Sequence, residues 1–344
     1  MLFNSWVFVG AFLPVTLIVY RLLGLLPYPR IPLVWLTVSS IFFYGWWNAE
    51  HVLLLLASIV INYIIGAYLA GLVEKRDTRV RHPLLFIAVI VALTDFYWDL
   101  GIVKGAAMAL TLLALLGMAA RWLSFERLGT ALEAAALFSA VGILGPFCAV
   151  IMASTALPLA DEMLARSDQL LFFGFRREVL VEAVRHWGAF MQVTRWVYHS
   201  LLWQPFLLIA LLAAAGQTRQ CWRFVASWGV ALGICLLVFP LLPAVGAPPY
   251  FLDFLDTFNG ARNGGLRAIG QGALTGIITF PSFHAAGAVL LGWAFRSIRP
   301  IAPAMVALNV LMIGAALIAG HYLIDLVAGA VVAWLAIRIT GRMA

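Results

Sequence analysis

Charge is what this chain has least of. Only 11% of its 344 residues are Asp, Glu, Lys or Arg, against roughly a quarter in a soluble domain. Apolar residues, aromatics included, make up 64%, and the mean hydropathy is +1.01. A soluble fold of this length cannot bury so much apolar surface in one or two cores. The deficit therefore excludes soluble enzymes and disordered scaffolds and leaves an integral membrane protein. Lysine is scarcest of all, with only Lys75 and Lys104 among 22 basic residues. The sequence pI of 9.7 comes from arginines set singly or in pairs between apolar runs. That is how membrane proteins anchor their loops, so no nucleic-acid partner is expected. Cysteine is also rare: Cys148, Cys221 and Cys235 sit in apolar context without metal-ligand spacing, which argues against a disulfide framework. Period-two alternation is missing from the apolar runs, and this excludes a membrane β-barrel. The amino-terminal run lacks a basic region and a small-residue cleavage site, and is read as a retained span. Neither an internal repeat nor a low-complexity stretch is evident.

What is there is a series of apolar runs near the length a helix needs to cross a bilayer. They lie at 6–27, 31–47, 52–73, 83–98, 105–123, 132–157, 200–216, 223–245, 282–296, 301–319 and 321–340. The fold class is thus an all-α polytopic membrane protein of about 11 transmembrane helices. With the carboxyl terminus in the cytoplasm, fourteen basic residues of the short connections fall inside and three outside, namely Lys104, Arg262 and Arg267. This satisfies the positive-inside bias. Residues 158–199 mix charge and apolar residues at helical spacing and predict one or two amphipathic helices at the membrane surface. Residues 246–280 are rich in Gly and Asn and read as a long active-site cover.

Ionisable groups at a membrane are costly, which makes each one a functional candidate. Isolated histidines such as His51, His82 and His186 are satisfied more cheaply as helix-end residues, and Asp95 and Asp99 as loop anchors. The last quarter of the chain differs. Pro281-Ser282-Phe283-His284 opens one span and Gly320-His321-Tyr322-Leu323-Ile324-Asp325 opens another. One helix down and one back up, at about 1.5 Å per residue, return the chain to the same depth. His284 and His321 then lie on neighbouring helices. His321 and Asp325 are four apart, so a shared helix face lets the carboxylate orient the imidazole. Pro281 suits a first helical turn, where a missing N–H costs nothing, and Ser282 offers a hydroxyl. The helix terminus there offers free N–H groups to an anion. A His-His-Asp metal site is the competing reading, but it lacks a further ligand and a carboxylate-rich surround, and no metal is expected.

These residues resemble the type-2 phosphatidic acid phosphatase superfamily, in particular its inositol-phosphorylceramide and sphingomyelin synthase-like branch. The Pro-Ser-x-His motif is matched by Pro281, Ser282 and His284, and His-x-x-x-Asp by His321 and Asp325. Phe283 replaces the glycine common in the phosphatases, Gly314-Ala315 stand in place of Ser-Arg, and the Lys-x6-Arg-Pro motif is absent. The likeness covers about 135–344. It implies a six-helix catalytic membrane domain over 131–344, with 1–130 as a scaffold bundle. It further implies a lipid phosphotransferase or phosphatase in which His321 attacks phosphorus, Asp325 holds its tautomer and His284 serves as acid and base. Ser282, Tyr322, Arg262 and Arg267 are the candidate phosphate-binding residues, and no cofactor is implied. The substrate would be a membrane lipid, with a phospholipid or polyprenyl phosphate as donor. The expected location is the bacterial inner membrane with the site facing outward. Met1–Pro14, Ser40–Trp47 and Asn62–Ala70 resemble the opening of membrane-bound O-acyltransferases, without that family's catalytic histidine. Two other readings follow: a non-catalytic lipid-binding or transport protein of the same fold, or an O-acyltransferase.

Overall fold

A computed structural model describes residues 7–25, 31–47, 101–154, 157–174, 176–248, 255–262 and 276–342. The spans expected at 52–73 and 83–98 lie outside the described residues, as do Arg267, His51, His82, Asp95 and Asp99. The described residues are helical, with no strand among them.

The chain forms two compact units, Met1–Tyr68 and Leu69–Ala344. In the first, a π-helical turn (Phe8–Phe12) runs into α1 (Leu13–Leu23), which packs on α2 (Ile31–Trp47). Phe8 and Phe12 meet Phe43 at ring separations of 5.0 and 5.6 Å. Trp35 donates its indole N–H to the Thr16 carbonyl, which satisfies a polar tip in an apolar hairpin.

The second unit contains α3 (Gly101–Trp122), α4 (Glu126–Ala153), α5 (Asp161–Leu171), α6 (Arg177–Val184), α7 (Gly188–His199), α8 (Gln204–Ala214), α9 (Thr218–Val238), α10 (Leu255–Arg262), α11 (Phe283–Phe295), α12 (Ala302–Ala319) and α13 (Leu323–Arg342). The domain boundary expected at 130/131 falls inside α4, a continuous helix that packs along α3. Among the described residues four helices, α4, α9, α12 and α13, are long and apolar enough to cross a membrane. Gly188–Leu202 and Gln204–Ala214 pass the same test only as a pair, bent by 50°. This differs from the expectation that residues up to 199 lie on the surface and a separate span starts at 200. The break has a local cause: Trp203 is the one residue between the two segments, and Pro205 in the first turn of α8 brings no N–H to continue the ladder. Helix α11 packs against α12, α13 and α9, and this brings the two motif-bearing termini together.

Few charges enter this packing, and one buried pair joins α3 to α4. Glu133 on α4 is 1% exposed and accepts from Arg121 Nε at 2.7 Å, while Arg121 Nη1 reaches Glu126 at 2.9 Å. Removing one member of a buried ion pair strands the other, at a cost of about 3–5 kcal/mol. Arg121→Met should therefore lower the thermal unfolding midpoint in detergent markedly. An unaltered midpoint would show that this pair adds nothing to stability.

Candidate active site

The site is built where α11 begins and where α12 turns into α13. Ser282 is the N-cap of α11, with its hydroxyl accepting from the Ala285 N–H at 3.3 Å. Pro281, expected in the first helical turn, lies one residue before that cap, and the Phe280–Pro281 bond is cis. The reason is local: the serine side chain takes the cap position and so sets the helix start at Phe283. The first N–H groups of α11, at Phe283 and His284, precede any intrahelical bond. They form the free end of this helix.

His321 was expected on the face of a helix, and it stands two residues before one. Helix α12 ends at Gly320, whose φ of +139° an L side chain rarely adopts, and α13 begins at Leu323. His321 Nδ1 lies 3.1 Å from the Thr279 carbonyl and 3.4 Å from Asp325 Oδ2. A carbonyl only accepts, so Nδ1 carries a proton, and in the neutral ring Nε2 holds the lone pair. Nε2 faces the Ser282 hydroxyl at 3.4 Å. Asp325 Oδ2 also accepts from the Tyr322 N–H at 2.8 Å, the reach-back bond of a capping box, while Oδ1 is buried without a partner. The Ser282 N–H donates to the Asp325 carbonyl at 3.1 Å, which ties the two motifs through backbone.

A second set of charges, all from the amphipathic stretch, surrounds this turn. Asp168 on α5 accepts from the N–H groups of Leu323 (2.7 Å) and Ile324 (2.8 Å). Burial pushes its carboxyl above the usual carboxylate range, against the pull of those two bonds, and Glu178 adds to the rise. Asp161 accepts from the N–H groups of Val245 and Gly246 and, at 3.4 Å, from the Tyr322 hydroxyl. Arg177 on α6 donates to the carbonyls of Leu317 (2.6 Å), Ile318 (2.7 Å) and Pro248 (2.8 Å). The amino terminus of α13 is thus filled by protein carboxylates, and that of α11 is not.

His284 and His321 line a cavity of about 380 Å³, within the range of small-molecule sites. Their ring centroids are 6.3 Å apart. The rest of the wall is mostly apolar or small, including Phe138, Gly142, Trp228 and Phe283. The His284 ring stacks on Tyr198 at 4.0 Å and an interplanar angle of 15°. The structure therefore brings His284, His321, Ser282 and Asp325 together. Tyr322 is buried behind the turn with its hydroxyl engaged by Asp161, not in the cavity wall. Arg262 ends α10, donates through Nη2 to the Leu157 carbonyl at 2.7 Å and lies over the Phe258 ring. It is not among the cavity-lining residues, although its Nη1 is buried without a partner. Arg267 and the side chain of Lys104 lie outside the described residues. Among the described residues no group of three or more His, Cys, Asp or Glu has metal-holding geometry.

Sequence reasoning missed Thr279, Tyr198, Asp168 and Arg177. The first two contribute a backbone carbonyl and a ring face, which carry no pattern. Asp161 and Asp168 did carry one, since their spacing of seven puts both on one face of an amphipathic helix.

Over 67 residues of its amino-terminal part the chain is 42% identical to a peptidoglycan O-acetyltransferase of Helicobacter pylori (strain ATCC 700392 / 26695). That stretch is 19% of this chain and 13% of the relative, so the chain spans only a small part of that protein's length. No solved structure matches the chain. A family model described as the PAP2 superfamily matches residues 162–339, just over half of the chain. The matched region starts inside α5 and runs through both histidine motifs. By that match the chain belongs to the PAP2 superfamily.

Proposed function

We propose that this protein transfers or hydrolyses a lipid-linked phosphate through a phosphohistidine on His321. The observation that carries the reading is the pair of histidines facing one cavity, with the Nδ1 proton of His321 held by Thr279 and Asp325 and its Nε2 left with a lone pair. A ring separation of 6.3 Å accommodates a phosphoryl group, since each reacting contact spans roughly 3–3.5 Å. Nε2 attacks phosphorus and the bond from phosphorus to the leaving oxygen breaks. Protonated His284 delivers its proton to that oxygen. An acceptor hydroxyl then gives its proton to His284 and attacks phosphorus, which releases His321. Water as acceptor makes the reaction a phosphatase, and a lipid or sugar hydroxyl makes it a transferase. The Phe283 and His284 N–H groups neutralise the phosphoryl oxygens, with Arg267 as the clamping cation.

The donor is a phospholipid or a polyprenyl phosphate, and the chain is of the inositol-phosphorylceramide and sphingomyelin synthase-like branch. The site faces the outer side of a bacterial inner membrane, with the amino-terminal 130 residues as scaffold. Incubation with lipids carrying labelled phosphate, followed by quenching, tests this. Label stable to base, labile to acid and located on the peptide containing His321 is the expected result. Steady turnover with no trappable label on that peptide would overturn the mechanism.

A second reading rests on the 42% identity to part of a peptidoglycan O-acetyltransferase. It makes the amino-terminal region an acyl-transfer module or a remnant of one. Transfer of labelled acetyl to a glycan acceptor would favour it, and the His321 reading predicts none.

A further inference from the structure

We propose that Asp168 and Arg177 are positioning residues that clamp the His321 turn from its two ends. The proposal rests on the reading of His321 as the nucleophile. Only Gly320, His321 and Tyr322 separate the last residue of α12 from the first of α13. A loop that short inherits any movement of either helix end. Each end carries four backbone groups with no partner inside its helix, and each end here is met by a charge of the fitting sign from α5 or α6. Arg177 places its guanidinium on the carbonyls of Leu317 and Ile318 at the negative end of α12. Asp168 places its carboxylate on the N–H groups of Leu323 and Ile324 at the positive end of α13.

Both side chains are buried, at 3% and 5% exposure, so the bonds form away from water and are of the strong, charge-assisted kind. Both come from the same short segment, α5 and α6, whose Met163, Leu170 and Val179 are exposed apolar side chains. The segment is thus an apolar-faced brace with two charges aimed inward, nine residues apart. It contributes nothing to the cavity wall and acts through His321. The clamp also directs the substrate. Because Asp168 and Asp325 occupy the N–H groups of Tyr322, Leu323 and Ile324, the phosphoryl group is left with the free terminus of α11.

The test uses the full-length protein in lipid nanodiscs with Asp168→Ala, Asp168→Asn and Arg177→Lys. Lysine keeps the charge but cannot span three carbonyls as the guanidinium fork does. Three quantities are read: amide exchange at 323–324, carbethoxylation of His321 by diethyl pyrocarbonate, and kcat and KM for phosphate release from phosphatidic acid vesicles. In Asp168→Ala, exchange and His321 reactivity should rise. Turnover should fall about 10²-fold in kcat with KM nearly unchanged, the size expected for a displacement of an ångström. Sodium formate, which can occupy the vacated N–H pair, should restore all three readouts in Asp168→Ala and none in Arg177→Lys. Asp168→Asn, which keeps an acceptor, should lie between. Wild-type exchange and wild-type His321 reactivity in both Asp168→Ala and Arg177→Lys would overturn the clamp. So would a loss of folding that formate leaves uncorrected. A wild-type protein inert toward the vesicles would count against the enzymatic reading alone, because exchange and carbethoxylation decide the clamp without turnover.

Discussion

His321→Ala leaves the folded protein without measurable turnover. The loss should be on the order of 10⁴-fold or more, as when a nucleophile is removed from a unit that works only complete. The side chain projects from a non-helical residue, so its removal breaks no helical hydrogen bond, and the His321 N–H still bonds the Ala316 carbonyl. What disappears is the ring nitrogen Nε2 that faces the Ser282 hydroxyl at 3.4 Å. Thr279 and Asp325 Oδ2 lose one donor, while Asp325 keeps its bond to the Tyr322 N–H. Folding should therefore survive and chemistry should not. Phosphate or headgroup release from lipid vesicles, normalised to folded protein, gives the comparison. Turnover within roughly tenfold of wild type would place the nucleophile elsewhere. His284→Ala separates the two roles. It should lose turnover as well, yet still accept label on His321 from a donor whose leaving group needs no proton.

Much of this site could be read before any coordinates, and the limits of that reading are physical. Helical class follows from apolar run length, and the meeting of His284 with His321 follows from counting rise along two antiparallel helices. The i,i+4 relation of His321 and Asp325 was read correctly as proximity but placed on the wrong backbone. His321 precedes α13, because Asp325 serves as its own helix's capping acceptor and Gly320 ends α12. A carbonyl such as that of Thr279 has no side-chain identity, so its hold on Nδ1 could not be seen in a motif. The amphipathic stretch was legible as helical from its periodicity. That two of its charges turn inward was not, since a period reports which face a residue occupies and not what that face meets. The break at Trp203 escaped for a similar reason: apolar runs either side of a bend read as two elements or one equally well. The phosphate-clamping cations were assigned by topology alone, and Arg262 in fact spends Nη2 on the Leu157 carbonyl.

Gly329→Ala should disable the site with a single methyl group. Gly329 lies one turn beyond Asp325 on α13, where that helix crosses the start of α11. A Cβ there would fall on the Ser282 carbonyl oxygen and meet Ala285 Cβ at 3.0 Å and the Ala286 nitrogen at 3.2 Å. Two of these three obstacles are backbone atoms of the motif helix, so no rotamer change can relieve them. Alanine is the better helix former by about 0.5–1 kcal/mol, and that gain opposes overpacking worth typically about 1–3 kcal/mol. The net cost to stability is modest, and the geometric cost is the larger effect. To admit the methyl group α13 must move away from α11, which stretches the bond between the Ser282 N–H and the Asp325 carbonyl. His321 moves with α13 and His284 stays with α11, so the gap the phosphoryl group must bridge widens. A shift of about an ångström costs on the order of 10²-fold in rate. Gly314→Ala on α12 is the matched control, because a Cβ there meets nothing within 4 Å. It should leave turnover unchanged and the unfolding midpoint equal or higher. Equal turnover in the two variants would mean that the α11–α13 contact can yield without disturbing the histidine pair.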